Sequence, residues 1–369
     1  MKLLLLSDPN SPHTIKWATS LAKNNINILL FGLGKLDVVD YDGLTNIEVK
    51  TLNEIVTRNE GALSKIKYLK ALPYLKKIIK EYKPDILHAH YATSYGLIGA
   101  LTGFNPFIIS VWGSDVFSFP KKSFLHKEIL KFNLRKADKI LSTSYVMAKE
   151  TSLYTNKEIE VIPFGIDINQ FKPMEVESLF DKKDIVIGTV KTLEEKYGIE
   201  YLIKAFKIIS DKYPNLPLKL LIVGGGSLEN KLKNLVKELK IDNKTIFIGR
   251  VPYKDVPKYQ NMLTISVSVS VSDSESFGVA VLEASACEKP VIVSNVGGLP
   301  EVVDDGVTGI VVPPKNPEKT AEAIERLILD KGLRDKMGKA GRKRVEKIYR
   351  WEGNVEHMIR IYKDLLRSI

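Results

Sequence analysis

Ser272 to Glu301 reads S-D-S-E-S-F-G-V-A-V-L-E-A-S-A-C-E-K-P-V-I-V-S-N-V-G-G-L-P-E. The stretch parses as the end of a strand, a turn, a buried helix, a second strand and a glycine turn. Ahead of it, Leu263 to Val271 alternates apolar and small residues with strand periodicity. Asp273, Ser274 and Ser276 offer helix-starting side chains before the apolar run Phe277 to Ala286. Gly278 admits close approach of a ligand at a helix start, where unpaired N–H groups and the helix dipole favour an anion such as phosphate. Glu275 in the turn and Glu283 in the helix lie eight residues apart. That is about two helical turns, so the two carboxylates can reach opposite ends of one extended ligand. Lys289-Pro290 closes the helix, Val291 to Val293 reads as a short buried strand, and Gly297-Gly298 with Pro300-Glu301 reads as a tight turn bearing a third carboxylate. The whole suits a floor for something phosphorylated and rich in hydroxyls.

Working outward, the 369 residues exceed the size at which one hydrophobic core stops growing, so two domains are expected. An apolar share of 44% and a charged share of 27% are those of an ordinary soluble globular chain. A single cysteine, Cys287, excludes an internal disulfide, fits a reducing cytoplasm and reads as a small core residue. The apolar run in M-K-L-L-L-L-S-D is too short for a signal sequence and reads as a first strand. No segment reaches the length of a membrane span. The net charge of +11 is concentrated at Lys65, Lys67, Lys70, Lys76, Lys77 and Lys80 and again from Lys121 through Lys139. Such clusters suit an anionic membrane surface or a phosphorylated acceptor, with a plain solvated lysine face as the alternative. Nucleic acid is the weaker expectation and is not favoured as a partner, for want of any recognition motif or interleaved aromatics.

Strands and helices alternate through the first half. They are Leu3 to Ser7, a helix from Thr14 to Asn24, Ile26 to Phe31, a lysine-rich helix from Ser64 to Tyr82, Asp85 to His88, a helix at Gly96 to Leu101, and Phe107 to Val111. This alternation implies a parallel sheet wrapped by helices, with ligands at the carboxyl ends of the strands. His13, His90 and Asp115 fall just after expected strands, and His88 and His90, two apart, face one side of an extended chain. The turn-rich V-I-P-F-G-I-D-I-N-Q-F-K-P from Val161 marks a crossing, with a boundary near Asp167. A second alternating series begins with Asp184 to Val190, then Lys191 and Lys196 five apart in the following loop, then a helix from Ile199 to Asp211. Leu218 to Val223 leads into Gly224-Gly225-Gly226, and Thr245 to Ile248 into Gly249-Arg250-Val251. The glycine triplet lacks the spacing of a dinucleotide fingerprint.

E-S-F-G-V-A-V-L-E at 275–283, followed by G-G-L-P-E at 297–301 and D-G-V-T-G-I-V-V-P-P at 305–314, resembles the retaining glycosyltransferases of family 4. The resemblance implies an α/β fold of GT-B type, in which two Rossmann-like domains face across a cleft. Residues 1–167 would form the acceptor-binding domain, joined by a returning helix at 351–369, and 168–350 the nucleotide-sugar-binding domain. It implies that Lys191, where the family has arginine, and Lys196 hold the donor diphosphate. Lysine keeps the charge but loses the bidentate fork. Gly225, Arg250 and Val251 would line the nucleotide, Ser276, Phe277, Gly278 and Val279 the phosphates, Glu283 the ribose and Glu275 the donor sugar. S-P-H-T-I-K-W-A, D-I-L-H-A-H-Y-A and V-W-G-S-D-V resemble acceptor-side segments, which points to His13, His90 and Trp112. Many relatives carry histidine where this chain has Trp112, so Asp115 or His13 is expected to take part of that role. The catalytic set so implied is Glu275, Lys196, His90 and Asp115.

Function follows as transfer, with retention, of a sugar from a nucleotide diphosphate sugar, UDP favoured, to a hydroxyl of a glycan, lipid-linked or small-molecule acceptor. Neither metal nor other cofactor is expected, and the location expected is cytoplasmic or peripheral on the inner membrane face. Asp40-Tyr41-Asp42 spells the D-x-D of metal-dependent transferases but sits in a polar loop, and zinc on His88, His90 and Asp115 lacks supporting ligands. The competing readings are a sugar-nucleotide epimerase or hydrolase of the same fold and a basic nucleotide- or nucleic-acid-binding protein.

Overall fold

A computed structural model of the chain describes residues 1–37, 41, 43–52 and 69–368. Asp40 and Asp42 of the D-x-D, and Ser64, Lys65 and Lys67 at the start of the lysine-rich helix, lie outside the described residues. The chain divides into two compact units, Met1–Pro163 with Gly353–Ile369, and Phe164–Glu352.

The first unit holds seven strands, β1 (Lys2–Leu6), β2 (Asn27–Gly32), β3 (Ile47–Thr51), β4 (Ile86–His90), β5 (Phe107–Val111), β6 (Lys139–Ser142) and β7 (Ile159–Val161). They form one parallel sheet in the order β3-β2-β1-β4-β5-β6-β7. Leu3 to Leu6 and all of β4 and β5 are buried, as expected of strands covered on both faces by crossover helices. The strand order reverses between β1 and β4, the point at which open parallel sheets of this kind take up their ligands. His90 is the last residue of β4 itself, not of the loop beyond it, and His13 sits in the first turn of the helix Pro12–Lys23. Edge strand β3 escaped the sequence reading because none of its five residues is fully buried, so no apolar run marks it.

The helix Trp351–Arg367 belongs, from Gly353 on, to this first unit. Its fully buried Tyr362 places the hydroxyl 2.7 Å from Nδ1 of His88, whose Nε2 lies 2.8 Å from Ser110 Oγ. Both ring nitrogens of His88 are thereby engaged within the protein, which removes it as a zinc ligand. Replacing Tyr362 by phenylalanine deletes one of those partners with little change in volume. The expected cost is about 1–3 kcal/mol, the penalty of an unsatisfied buried polar atom, read as a lowered thermal midpoint.

The second unit repeats the plan with β8 (Ile185–Val190), β9 (Leu218–Val223), β10 (Thr245–Gly249), β11 (Ile265–Ser268), β12 (Val291–Ser294) and β13 (Gly309–Val312). All pair in parallel, in the order β10-β9-β8-β11-β12-β13, with the reversal between β8 and β11. Its main core gathers Leu220, Ile222 and Ile292 from one face of the sheet with Leu202, Phe206 and Leu327 of the helices that cover it, and Val186, Leu221 and Val223 pack separately on the other face. Strand β11 is shorter than the sequence alternation suggests, and the helix after it spans Val279–Ala286, opening at Gly278 instead of Phe277. Pro300 and Glu301 lie in a short helix, Leu299–Val302, where a simple turn was expected.

Candidate functional site

Lys191 follows directly on β8 and Glu275 lies in the loop after β11, so the topological reversal of the second sheet brings them together. Lys191 Nζ is 3.0 Å from Glu275 Oε2, with the two side chains 17% and 9% exposed. Burial pulls the Lys191 ammonium down, but Glu275, aided by Tyr197, raises it further, so it stands above the usual lysine value and remains charged. Lys191 Nζ lies 4.3 Å and Lys196 Nζ 4.7 Å from the centre of the Tyr197 ring. The two lysines that the sequence places in one loop therefore converge on one aromatic ring. Tyr197 was missed by sequence reasoning, although the K-Y-G ending of that loop was the available signal.

Glycines hold this arrangement together at two points. Gly224 has φ +140°, and a Cβ there would lie 1.9 Å from the carbonyl oxygen of Lys191. Gly297, at φ +51°, would set a Cβ 2.1 Å from the carbonyl oxygen of Glu275, while the Gly298 N–H donates to that same oxygen at 2.8 Å. The glycine turn of the quoted stretch thus packs on the backbone of the carboxylate it follows. Gly225 accepts from the Leu193 N–H at 3.1 Å and faces Arg250, so the loops after β8, β9 and β10 share one edge of the sheet. Val251, next to Arg250, packs against the small cluster of Val186, Leu221 and Leu263.

The helix start differs from its expectation. Gly278, at φ +100°, occupies the cap position, so no side chain caps the helix. Asp273 instead accepts from the Gly297 N–H at 3.4 Å, and Ser274 pairs with Ser272. Phe277 is buried in edge contact with Phe164 and Tyr349. Ser276 and Val279 flank the glycine on either side of the helix start. Glu283 is buried one turn further along and accepts a hydrogen bond from the Tyr253 hydroxyl. Tyr253 is a second residue the sequence reading passed over. Burial raises the Cys287 thiol to about 12, which keeps it protonated and structural.

In the first unit, His90 Nδ1 lies 3.2 Å from Ser7 Oγ, at the mouth of the reversal between β1 and β4. Its ring lies 4.4 Å from Trp112 and 4.8 Å from His88, and His13 meets Trp112 edge-on at 6.0 Å. His13, His90 and Trp112 thus form one aromatic cluster. Burial lowers His90 well below the ordinary histidine value, and His88 and His13 push the same way. Asp115 differs from its expectation as a catalytic group. It is fully buried, and its carboxylate accepts from the N–H groups of Ala92 at 2.8 Å, Gly113 at 2.8 Å and Trp112 at 3.2 Å. A carboxylate so engaged by backbone donors positions the loops carrying Trp112 and Ala92, while burial raises it above the usual aspartate value against the pull of those donors.

Family models describing "Glycosyl transferases group 1" and "Glycosyl transferase 4-like" match residues 171–344 and 2–144. An uncharacterised glycosyltransferase of Methanocaldococcus jannaschii is 30% identical over 336 residues, 89% of either chain. Sucrose-phosphate synthase of Thermosynechococcus elongatus has the same fold, with a TM-score of 0.85 at 22% identity over 100% of both chains. Anabaena HepE, solved in complex with UDP, follows at 0.80 and 18% identity over 99% of this chain and 100% of its own. With both halves matched and a relative aligned over nearly its whole length, the chain belongs to the group 1 glycosyltransferases of family 4, enzymes built on the GT-B fold of two Rossmann-like domains.

Proposed function

We propose that the enzyme moves a sugar, with retention, from a UDP-sugar to a hydroxyl of a glycan, lipid-linked or small acceptor. The observation that carries the reading is the Lys191–Glu275 pair, 3.0 Å apart at the reversal of the second sheet. Negative charge grows on a departing diphosphate. Two ammonium groups gathered on one ring, together with a helix start lacking a side-chain cap, are suited to stabilise that charge. An arriving diphosphate competes with Glu275 for Lys191. The freed carboxylate then accepts hydrogen bonds from the donor sugar, and Glu283 exchanges the Tyr253 hydroxyl for those of the ribose. The acceptor hydroxyl attacks the face from which UDP leaves. The anomeric C–O bond breaks with its electron pair going to the phosphate oxygen, the new C–O bond forms, and the acceptor proton passes to the departing phosphate. No covalent enzyme intermediate is formed, and Lys191 and Lys196 do the cationic work without a metal. The choice of UDP draws on the complex of Anabaena HepE. His13, His90 and Trp112 are assigned to the acceptor.

Thermal shifts with UDP, GDP, ADP and NAD, each with and without chelator, test the donor site. A ligand at about 100 times its Kd adds roughly 2.7 kcal/mol, several degrees of midpoint. A shift selective for UDP and indifferent to chelator is expected. Silence with every diphosphate, or a response to NAD alone, overturns the reading. Lys196→Ala should weaken UDP about ten-fold while sparing uridine, because one charge-assisted contact to phosphate is lost. Equal losses for the two ligands place Lys196 away from the diphosphate.

A further inference from the structure

On the first unit, the helix Phe124–Lys136 begins with two large apolar residues facing water, Phe124 at 78% and Leu125 at 64% exposure. An exposed apolar patch rimmed by polar residues is the surface that marks an interaction site. The pair is not on a loose tip. Ser123 caps the helix, its Oγ 2.7 Å from Nδ1 of His126, and His126 packs edge-on against the buried Phe119 at 4.7 Å. The apolar residues are therefore presented on a fixed turn.

Lysines flank them along the chain. Lys121 and Lys122 precede the helix and Lys127 follows within its first turn, all three exposed. Lys122 and Lys127 make no ion pair among the described residues, and Lys121 and Lys131 are balanced by Glu150 and Glu128. Tyr145, 73% exposed, opens the neighbouring helix Tyr145–Ser152, to which the Lys121–Glu150 pair ties this turn. Apolar residues set among lysines with a tyrosine beside them match a bilayer interface, where rings and aliphatic groups enter the headgroup layer and ammonium groups meet lipid phosphates. Topology adds a direction. Both helices follow β5 and β6 and run back along them, so their starts lie at the carboxyl edge of the sheet, the edge that carries His90 and Trp112.

We propose that Phe124 and Leu125, flanked by Lys121, Lys122 and Lys127, dock the protein on an anionic lipid bilayer with the acceptor edge of the first unit toward it. The surface deepens the acceptor part of the function proposed above, since it favours an acceptor carried in that bilayer. No helix among the described residues is long and apolar enough to cross a membrane, so the contact is interfacial.

Co-sedimentation with vesicles of about 30% phosphatidylglycerol in phosphatidylcholine tests it, against phosphatidylcholine alone. Binding to the anionic vesicles alone, weakened by salt, is expected. Phe124→Ser with Leu125→Ser should lower the partition about ten-fold at unchanged net charge. Lys122→Glu with Lys127→Glu should lower it by roughly five-fold for each lysine. The thermal response to UDP, run on the same preparations, should be that of wild type in both variants. No binding to anionic vesicles, or equal binding by the serine variant, overturns the proposal. Self-association in sedimentation that the serine substitutions abolish, without vesicle binding, overturns it in favour of a second copy of the chain. A protein that responds to UDP but ignores vesicles loses the surface and keeps the donor site. One that binds vesicles through these residues but responds to no nucleotide keeps the surface and loses the donor site.

Discussion

Glutamine in place of Glu275 should leave a folded protein that binds UDP and transfers sugar about 100- to 1,000-fold more slowly, the scale of losing one preorganised electrostatic contact to a reacting centre. Glutamine keeps the volume of the side chain and an acceptor for Ser270 Oγ, which lies 3.4 Å from Glu275 Oε2. It removes the charge that holds Lys191. Glu275→Ala should lose stability as well, by about 3 kcal/mol, the low end for breaking a buried pair because Lys191 keeps some access to water. Saturating UDP should recover part of that loss, since a diphosphate supplies the charge that Lys191 lacks. Turnover of a UDP-sugar and thermal midpoints with and without UDP distinguish the two effects. Wild-type turnover in the glutamine variant would remove Glu275 from the chemistry.

Acid should unfold the first unit ahead of the second. All five histidines, His13, His88, His90, His126 and His357, belong to the first unit and none to Phe164–Glu352. Burial holds His88 down to about 3 and His90 well below the usual value. In the unfolded chain both return to about 6.5. Below that pH the unfolded chain takes up protons that the folded unit refuses, so stability falls as pH drops from about 6.5 toward the lowered folded values. His88 contributes about 1.4 kcal/mol per pH unit, about 2 kcal/mol by pH 5, and His90 adds to the loss in the same direction. Calorimetry from pH 7 to pH 5 should show one transition moving down and separating from another that stays nearly fixed. Parallel movement of the whole endotherm would contradict the assignment. Because burial holds His90 well below the ordinary histidine value, an inflection in rate near pH 6.5 would have to come from another group.

What was legible in the sequence was local. The strands Phe107–Val111 and Leu218–Val223 stand in the structure where their apolar runs put them, since a strand buried on both faces announces itself without reference to the rest of the chain. The helix Val279–Ala286 was legible in type but not at its start, because serine and aspartate suit caps by propensity whereas tight packing of Gly278 against Leu299 decided the matter. The site was legible as residue types and not as contacts. Lys191 and Glu275 are separated by most of a domain, and only the strand order β8-β11 makes them neighbours. Asp115 shows the converse case. Its position after a strand suggests chemistry, whereas the structure adds three backbone N–H groups that donate to it and hold its loops, and backbone donors have no signature in a sequence. Tyr253 was invisible for a like reason, since it matters only through Glu283, and Tyr197 had only the K-Y-G of its loop to mark it, with nothing to show that both lysines meet its ring.

The bond between His88 and Tyr362 also bears on the order in which the protein is made. A ribosome that has emitted the first 163 residues has delivered every strand of the first sheet but not the helix that carries Tyr362. The whole of the second unit must be synthesised before that helix appears. The unit begun first is therefore finished last, and in the interval its central strand holds a histidine ring with one nitrogen unmatched. The nascent chain meets chaperones and proteases in that state, and a premature stop after Glu352 would harm the beginning of the protein more than the part just completed.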